Sequence, residues 1–270
     1  MLPGLSSAVE ASIRKVLTPA VTALGAAHYE HADYHLLSAR DEVCQSLGVQ
    51  LLSGGELMVA VTDLERPVGD IRVQTGGTGN LLVLDNRGWQ GSLHVSARML
   101  GDDCALIFND VGRGGYVALH DVFMRSHRQF LFWGQGATAV GLSIELEGPD
   151  LGVAIGDDAL ISSGVWIRNY NMHALHDLRG GAPIGRPPAS TVLERHVWLG
   201  QEALLLNCGR VGMGAVVGAR SLVTRAIPPC VIAAGNPAQV RREGVSWGRD
   251  TYQMTGAERV ALGWPETPGT

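Results

Sequence analysis

The stretch 191–226 repeats an apolar residue every six positions. Written in sixes it reads TVLERH, VWLGQE, ALLLNC, GRVGMG, AVVGAR and SLVTRA, and the third place of every block is Leu or Val. An α-helix turns by about 100° per residue, so a step of six would scatter these positions around its surface. Six is even and suits a strand, but the repeat runs far beyond the ~5–6 residues of a typical strand. The step therefore predicts a solenoid in which each block is one short strand and a turn.

The expected solenoid has three blocks per coil, with coils stacked at the ~4.8 Å spacing of paired strands. The third-place residues would point into a narrow prism; they are Leu193, Leu199, Leu205, Val211, Val217 and Val223. The same step continues upstream through Ile155, Ile161 and Ile167. The first places are mostly small, which suits the bends. The fourth places often hold glycine, which tolerates unusual backbone angles in a turn.

The rhythm weakens toward the N-terminus. Residues 76–150 carry short apolar pieces such as NLLVLD and CALIF between Gly, Asn and Asp turns, and we interpret them as irregular early coils. Residues 1–75 lack the rhythm. Ser7 and Glu10 form the pattern of a capping box, which predicts a short helix there and favours it over a signal peptide. The expected organisation is an N-terminal helical and mixed region at 1–75, a β-helix at 76–240 and a C-terminal tail at 241–270.

Composition narrows the function classes. The chain is 46% hydrophobic and 17% charged, as expected of a globular protein. Its net charge is −5 and it has no basic run, so no nucleic-acid-binding surface is expected. No apolar run reaches the ~18–20 residues of a membrane span. The four cysteines are far apart and form no CxxC, which favours reduced thiols in a cytoplasmic protein.

The repeat breaks after Ile167, where the chain reads NYNMHALHD at 169–177. Two histidines and a carboxylate lie in the break, and the step of six resumes only at 191. A loop at about 169–190 is expected to protrude from one corner of the solenoid and to form the wall of a cleft. Histidine is largely neutral and basic near pH 7, so this loop is a candidate source of a general base.

The blocks, together with VVGARSLVTRAIPPCVIAAGNPAQVRR at 216–242, resemble the left-handed β-helix acyltransferases, which are built from hexapeptide repeats. IPP followed by AAGNPA is similar to the C-terminal signature of the sugar O-acetyltransferases. HVWLGQ at 196–201 resembles the coil that carries their active-site tryptophan, and RNYNMHALHD resembles the segment of their catalytic histidine. The wider context, including WGRD at 247–250, is similar to capsular-polysaccharide and sialic-acid O-acetyltransferases. The good resemblance covers roughly 150–250.

This resemblance implies a left-handed parallel β-helix that transfers acetyl from acetyl-CoA directly to a saccharide hydroxyl. It implies His173 as the general base and places Asn171, His176 and Trp198 at the acceptor. The residues implied for the cofactor are Gly200, Gly218, Arg225, Asn236, Arg241 and Arg242. The turn backbone around Gly200 would stabilise the oxyanion. No metal is expected, and the family is typically trimeric, which implies a site shared between chains.

Other interpretations of the same residues stay open. His173, His176 and His196 supply the ligands of a γ-type carbonic anhydrase, a zinc enzyme on the same solenoid. A scaffold or sugar-binding module would need no base. A ping-pong enzyme would use a nucleophile, for which the candidates are Ser162, Ser163 and Cys208. Three residues also have a simpler structural interpretation. Asn171 would stabilise a turn, Trp198 would pack against its neighbours, and Asp177 would be a solvated carboxylate of the loop. The histidine spacing and the AAGNPA ending favour the transferase.

Overall fold

The computed structural model describes residues 33–109 and 115–263, and their regular structure is almost entirely β. The two helices in these ranges are α1 (Glu42–Ser46) and α2 (Gly256–Ala261). Neither of them is long and apolar enough to cross a membrane. The strands up to the sixteenth are β1 (His35–Ser38), β2 (Val49–Ser53), β3 (Leu57–Val61), β4 (Gly69–Thr75), β5 (Asn80–Leu84), β6 (Ser92–Met99), β7 (Ala105–Phe108), β8 (Tyr116–Met124), β9 (Phe130–Trp133), β10 (Thr138–Leu146), β11 (Gly152–Ile155), β12 (Leu160–Ile161), β13 (Val165–Arg168), β14 (Leu175–His176), β15 (Pro183–Ile184) and β16 (Thr191–Leu193). The remaining strands are β17 (Trp198–Leu199), β18 (Leu204–Leu206), β19 (Arg210–Val211), β20 (Val216–Val217), β21 (Leu222–Val223), β22 (Val231–Ala234) and β23 (Gln239–Glu243).

Strands stack in two large sheets along the solenoid. One sheet has the order β1-β3-β5-β7-β9-β11-β16-β19, and the main path of the other is β2-β4-β6-β8-β10-β12-β17-β20-β22-β23. In most of this path, strands that alternate along the chain are parallel neighbours in space, which is the pattern of a solenoid. The long strand β10 pairs with β12 at one end and with β13 at the other, and β13 continues through β18 to β21. The later coils therefore have three faces.

The step of six is the geometry of the late coils. Leu199 pairs with Val217 and Leu205 with Val223, so each of these coils contains 18 residues, or three blocks. All nine predicted inward residues have no exposed surface; they are Ile155, Ile161, Ile167, Leu193, Leu199, Leu205, Val211, Val217 and Val223. Small first-place residues such as Ala203 are fully buried at the bends as well. The predicted solenoid and its inward residues are confirmed.

The fourth-place glycines allow close packing between coils. A Cβ atom on Gly200 would lie 2.6 Å from the backbone N of Ala219 in the next coil, a distance that real side chains do not reach. Gly200 and Gly218 do not have positive φ angles; those fall on later turn residues such as Glu202, at 57°. The expectation that these glycines supply unusual backbone angles is therefore wrong.

The coils begin earlier and are longer than expected at the N-terminal end. Ile71 pairs with Val95, and Val95 with Leu119, so two successive coils contain 24 residues each. The strands β2, β3 and β4 lie in the same two sheets as the later strands. The predicted boundary at 75/76 is therefore corrected, and parallel coils are present from Val49. Long coils carry no six-residue step, so the sequence pattern did not reveal them. The helix expected near Ser7 lies outside the described residues.

The C-terminal tail packs against the late coils. β23 pairs antiparallel with β22, and the chain then returns so that Trp247 stacks on His196 with ring centroids 4.2 Å apart. The helix α2 begins with a capping box in which Thr255 and Glu258 bond to each other's backbone N–H groups. The tail therefore covers a corner of the solenoid near the strand that carries Trp198.

Candidate active site

The interruption at 169–190 is a hairpin loop that leaves the corner after β13, here called the loop corner. Asn169 anchors its first end: the side chain is fully buried and exchanges two hydrogen bonds with the backbone of Glu147, at 2.9 and 3.0 Å. Residues 171–189 are all exposed, and β14 pairs with β15 within them. The predicted protruding loop is confirmed.

The second arm of the loop is tied to later coils. Asn207 Nδ2 donates to the carbonyl O of Pro187 at 2.8 Å, and the Arg186 guanidinium donates to the carbonyl O of Thr224. Asn207 follows β18 and Thr224 follows β21, so this arm crosses two successive coils at the loop corner. The loop is thus held at both ends while its middle lies in solvent.

The loop histidines have different surroundings. His176 Nδ1 lies 3.2 Å from the carbonyl O of Gly181, inside the hairpin. Asp177 accepts a hydrogen bond from the N–H of Arg179 at 2.8 Å, so this carboxylate shapes the turn. Within the described ranges, the exposed side chain of His173 makes no hydrogen bond or ion pair. Its ring is therefore available to an incoming substrate, whereas His176 has a structural partner.

The other two predicted acceptor residues lie apart from each other. Asn171 is exposed at the start of the loop, and its Nδ2 would be 3.5 Å from a Cβ atom placed on Gly185 in the opposite arm. Trp198 points outward from β17, is 36% exposed, and donates from Nε1 to Ser162 Oγ at 3.3 Å. In a three-faced coil the face of β17 lies opposite the loop corner, because the faces of β16 and β18 meet there. One chain therefore does not bring Trp198 and His173 together.

The predicted cofactor glycines lie in consecutive coils, after β17 and β20. The N–H of Gly200 donates to Val217 O, and that of Gly218 to Ala233 O, both at 2.8 Å. These two amides are used between coils and are not available to an oxyanion. The next residue in each turn, Gln201 or Ala219, is exposed. The missing Cβ atoms of the glycines face the next coil, so these residues allow close stacking, and any donors to a ligand must come from their neighbours.

The other predicted cofactor residues lie at the C-terminal end of the solenoid. Arg225 and Asn236 are exposed in turns. Arg241 and Arg242 are exposed in β23, where Arg241 Nε donates to the carbonyl O of Ala234 at 3.1 Å. The carbonyl occupies one of the five guanidinium donors of Arg241, which leaves the others for a ligand.

A buried polar cluster at the corner before β17 was not foreseen from the sequence. His196 is 1% exposed, with Nδ1 2.6 Å from Asp158 Oδ2 and Nε2 2.7 Å from the carbonyl O of Trp247. Both partners offer oxygen atoms, so both ring nitrogens of His196 are engaged within the cluster. Burial raises the pKa of Asp158, but hydrogen bonds from His196 and Arg249 outweigh it and hold that pKa below its ordinary value. The only signal in the sequence was the WGRD motif.

This cluster argues against the carbonic anhydrase interpretation. Both ring nitrogens of His196 are engaged, and the ring lies away from the loop that carries the other two histidines. Asp158, His196 and Glu258 do offer ligand atoms within 4.8 Å of one another. Arg249 already satisfies both carboxylates, through its guanidinium on Asp158 and its backbone N–H on Glu258. The groups of Arg249 thus occupy the carboxylate oxygens that a metal cation would need as ligands.

Asp157, beside this cluster, is expected to make stability pH-dependent. Burial raises the pKa of Asp157 to about 7, although the N–H of Gln135 bonds to it at 2.8 Å. The pKa of Asp157 in the folded protein lies above its ordinary value of 3.8. The contribution of this carboxyl group to folding stability is therefore complete below pH 3.8 and is lost as the pH rises through 7. Asp157→Asn keeps the acceptor and removes the charge. We expect it to raise the free energy of unfolding at pH 8 by about 1–3 kcal/mol, discounted for partial exposure.

Urea denaturation of Asp157→Asn and wild type at pH 5 and pH 8 measures this effect. The stability difference should be larger at pH 8, where the wild-type carboxylate is charged. Equal stability of the two proteins at pH 8 would contradict the prediction.

The chain is similar to known acetyltransferases over part of its length. No protein-family model matches the chain. Chloramphenicol acetyltransferase of Agrobacterium fabrum is 44% identical over 79 residues, 29% of this chain and 36% of that protein. Galactoside O-acetyltransferase of Escherichia coli K12 is 35% identical over 94 residues, 35% and 45% of the two chains. Polysialic acid O-acetyltransferase of Escherichia coli O1:K1 is 26% identical over 112 residues, 42% and 36% of the two. The chain spans less than half the length of these curated relatives.

Among solved structures, the polySia-specific acetyltransferase NeuO is similar with a TM-score of 0.52 at 22% identity, over 72% of this chain and 86% of that one. At this identity the likeness concerns the fold. The fold is the left-handed parallel β-helix of the hexapeptide-repeat acyltransferases, as the resemblance implied.

Proposed function

We propose that this chain, whose homologues are hexapeptide-repeat acetyltransferases, is an acetyl-CoA-dependent O-acetyltransferase that acts on a saccharide hydroxyl. The observation that carries the proposal is the anchored, exposed loop that presents His173 without a partner on this solenoid. Relatives named for galactosides and for polysialic acid support a saccharide as the acceptor.

In the proposed mechanism His173 acts as general base. Acetyl-CoA supplies the acetyl group as an activated thioester. His173 accepts the proton of the acceptor hydroxyl as that oxygen attacks the thioester carbonyl, and it returns the proton to the departing sulfur. A histidine suits this role because an ordinary imidazole is largely neutral and basic near pH 7. The mechanism needs no metal and no covalent enzyme intermediate. Ser162 has no role as a nucleophile in this proposal; its hydroxyl oxygen accepts a hydrogen bond from Trp198 Nε1, which cannot serve as a base.

The late coils fit acetyl-CoA. The turns after β17 and β20 expose Gln201 and Ala219 in two successive coils, so a pantetheine arm can lie against the turn backbone there. Arg225, Arg241 and Arg242, with Asn236, would hold the phosphates at the C-terminal end, because guanidinium donors match phosphate geometry. The carbonyl contact of Arg241 holds one of these groups in position.

We place the complete site between two copies of the chain in a homotrimer. Trp198 lies on the face opposite the loop corner, so His173 and Trp198 can line one cleft only if a neighbouring copy supplies one of them. We also propose the cytoplasm as the location, because all four cysteines are free thiols and disulfides are rare in that compartment.

Calorimetric titration with acetyl-CoA in the presence of a metal chelator tests the donor side without knowledge of the acceptor. We expect saturable binding at about one site per chain, and at least about fivefold weaker binding by Arg241→Gln. Arg128→Gln is the matched control, because that arginine is paired with Asp150 on another part of the surface. Failure of wild type to bind acetyl-CoA would refute the transferase and turn attention to the scaffold interpretation.

A further inference from the structure

We propose that the saccharide acceptor carries a carboxylate and that Arg125 binds it. The inference rests on the proposed function and names the acceptor class of the same site. It is drawn from a surface next to the loop corner, here called the arginine patch, which consists of Arg98, Phe123, Arg125, Arg168 and Tyr170.

The residues of the arginine patch lie on β6, at the end of β8, on β13 and at the base of the loop, and β10 lies between β8 and β13. Arg98 pairs with Phe123, Phe123 with Glu145, and Glu145 with Arg168, so these residues form one outward column across β6, β8, β10 and β13. The Phe123 ring is enclosed by two guanidinium groups, with Arg98 at 3.8 Å and Arg125 at 4.1 Å from its centroid. The guanidinium of Arg125 also lies 5.9 Å from the centroid of Tyr170. Two aromatic rings therefore hold it in place.

Arg125 is the cation of the patch that lacks an anion. Arg98 is paired with Asp121 at 2.5 Å, and Arg168 Nε lies 2.9 Å from Glu145 Oε2, at ion-pair distance though not aligned as a hydrogen bond. Within the described ranges, the exposed side chain of Arg125 makes no ion pair or hydrogen bond.

Two carboxylates close to this surface, those of Glu145 and Glu147, bond to groups other than Arg125. Glu145 also accepts a hydrogen bond from the Tyr170 hydroxyl at 3.3 Å, and Glu147 accepts one from the Ser126 hydroxyl at 2.9 Å. A preorganised guanidinium without a counterion is a site for an anion. A single guanidinium suits a monoanion, because its planar fork matches a carboxylate in a bidentate way.

The position of Arg125 ties this anion site to the reaction. Tyr170 is 7% exposed and its ring packs near Arg125, while the chain leaves the surface at the next residue. His173 is three residues further on, so its Cα lies at most about 11 Å from that of Tyr170. An acceptor whose hydroxyl meets His173 therefore passes over this patch, and a carboxylate on the same or the next sugar can reach Arg125.

The test compares carboxylated oligosaccharides with their carboxyl-reduced forms. The probes are short oligomers of galacturonic, glucuronic and sialic acid, each with its reduced counterpart, and one phosphorylated oligosaccharide. They are titrated into wild type, Arg125→Gln and Arg125→Lys at low and high salt. We expect at least one carboxylated oligomer to bind at least about tenfold more tightly than its reduced form, and more weakly at high salt. Arg125→Gln should lose this preference and Arg125→Lys should keep part of it.

Arg128→Gln is the matched control. Arg128 is three residues after Arg125 in the sequence, and its guanidinium is already paired with Asp150, so the variant removes one positive charge from outside the patch. It should keep the carboxylate preference. Equal binding of carboxylated and reduced sugars, binding of no carboxylated oligomer, tighter binding of the phosphorylated one, or an unchanged preference in Arg125→Gln would each overturn the inference. Titration of wild type with acetyl-CoA separates the two proposals: intact donor binding without any carboxylate preference rejects the acceptor class alone, whereas failure to bind acetyl-CoA rejects the proposed function itself.

Discussion

Replacement of His173 by alanine is expected to lower kcat by ~10²–10⁴, the usual contribution of a positioned general base. Acetyl-CoA binding should not change, because the proposed donor residues lie on the late coils and not in the middle of the loop. The exposed side chain makes no hydrogen bond in the described ranges, so its removal should leave the fold intact. Release of the CoA thiol in the presence of an acceptor measures turnover, and calorimetry measures donor binding.

His176→Ala is the matched control in the same loop. Its ring lies beside the carbonyl of Gly181, so we expect a loss of less than about tenfold, from a less ordered hairpin. Full turnover by His173→Ala would remove the general base from the mechanism. Mixing His173→Ala with Trp198→Ala chains extends the test. Mixed assemblies should recover part of the activity if each site combines a loop from one copy with a tryptophan from its neighbour.

The late coils could be predicted from the sequence because their geometry requires a regular pattern of apolar residues. A coil of 18 residues with three faces places an inward residue at every sixth position, and Leu199 and Val217 stack directly in neighbouring coils. A break in that rhythm must then leave the solenoid, so the loop with His173 was also predictable. The chemistry of His173 came from the resemblance, not from the spacing.

The early coils could not be predicted in the same way. Their 24-residue spacing, from Ile71 to Val95, is produced by long strands that bend across two faces with irregular register, as β10 does against β8. Such strands alternate inward and outward residues but contain no step of six. The arginine patch arises only when β6, β8 and β13 align Arg98, Phe123 and Arg168 across a sheet, with β10 between the last two. Their separation along the chain gave no signal.

The contacts of the tail could not be predicted from the sequence either, because they join residues about fifty positions apart. In the sequence, Trp247 is a single tryptophan in a polar segment and His196 is a single histidine in a turn. Only the fold shows that the Trp247 indole N–H donates to the carbonyl O of His196 at 2.8 Å while its own carbonyl accepts from the His196 ring. This reciprocal pair predicts that Trp247 fastens the tail to the late coils.

Trp247→Ala is therefore expected to lower the free energy of unfolding by about 3 kcal/mol, as loss of a buried tryptophan usually does. Three contributions disappear together: burial of an indole that is 6% exposed, its stacking on the His196 ring, and its hydrogen bond. Urea denaturation measures the loss. Hydrogen exchange should show weaker protection from 244 to 263 and unchanged protection in the early coils.

Trp247→Phe separates these contributions, because it keeps an aromatic ring for stacking and removes the N–H donor. It should be destabilised by about 1–2 kcal/mol, since the carbonyl of His196 loses its partner. Tyr252→Ala is the control from the same segment, because that side chain is 92% exposed and should change stability by less than about 0.5 kcal/mol. If Trp247→Ala kept the protection of 244–263, other contacts, such as those of Arg249 with Asp158, would have to hold the tail.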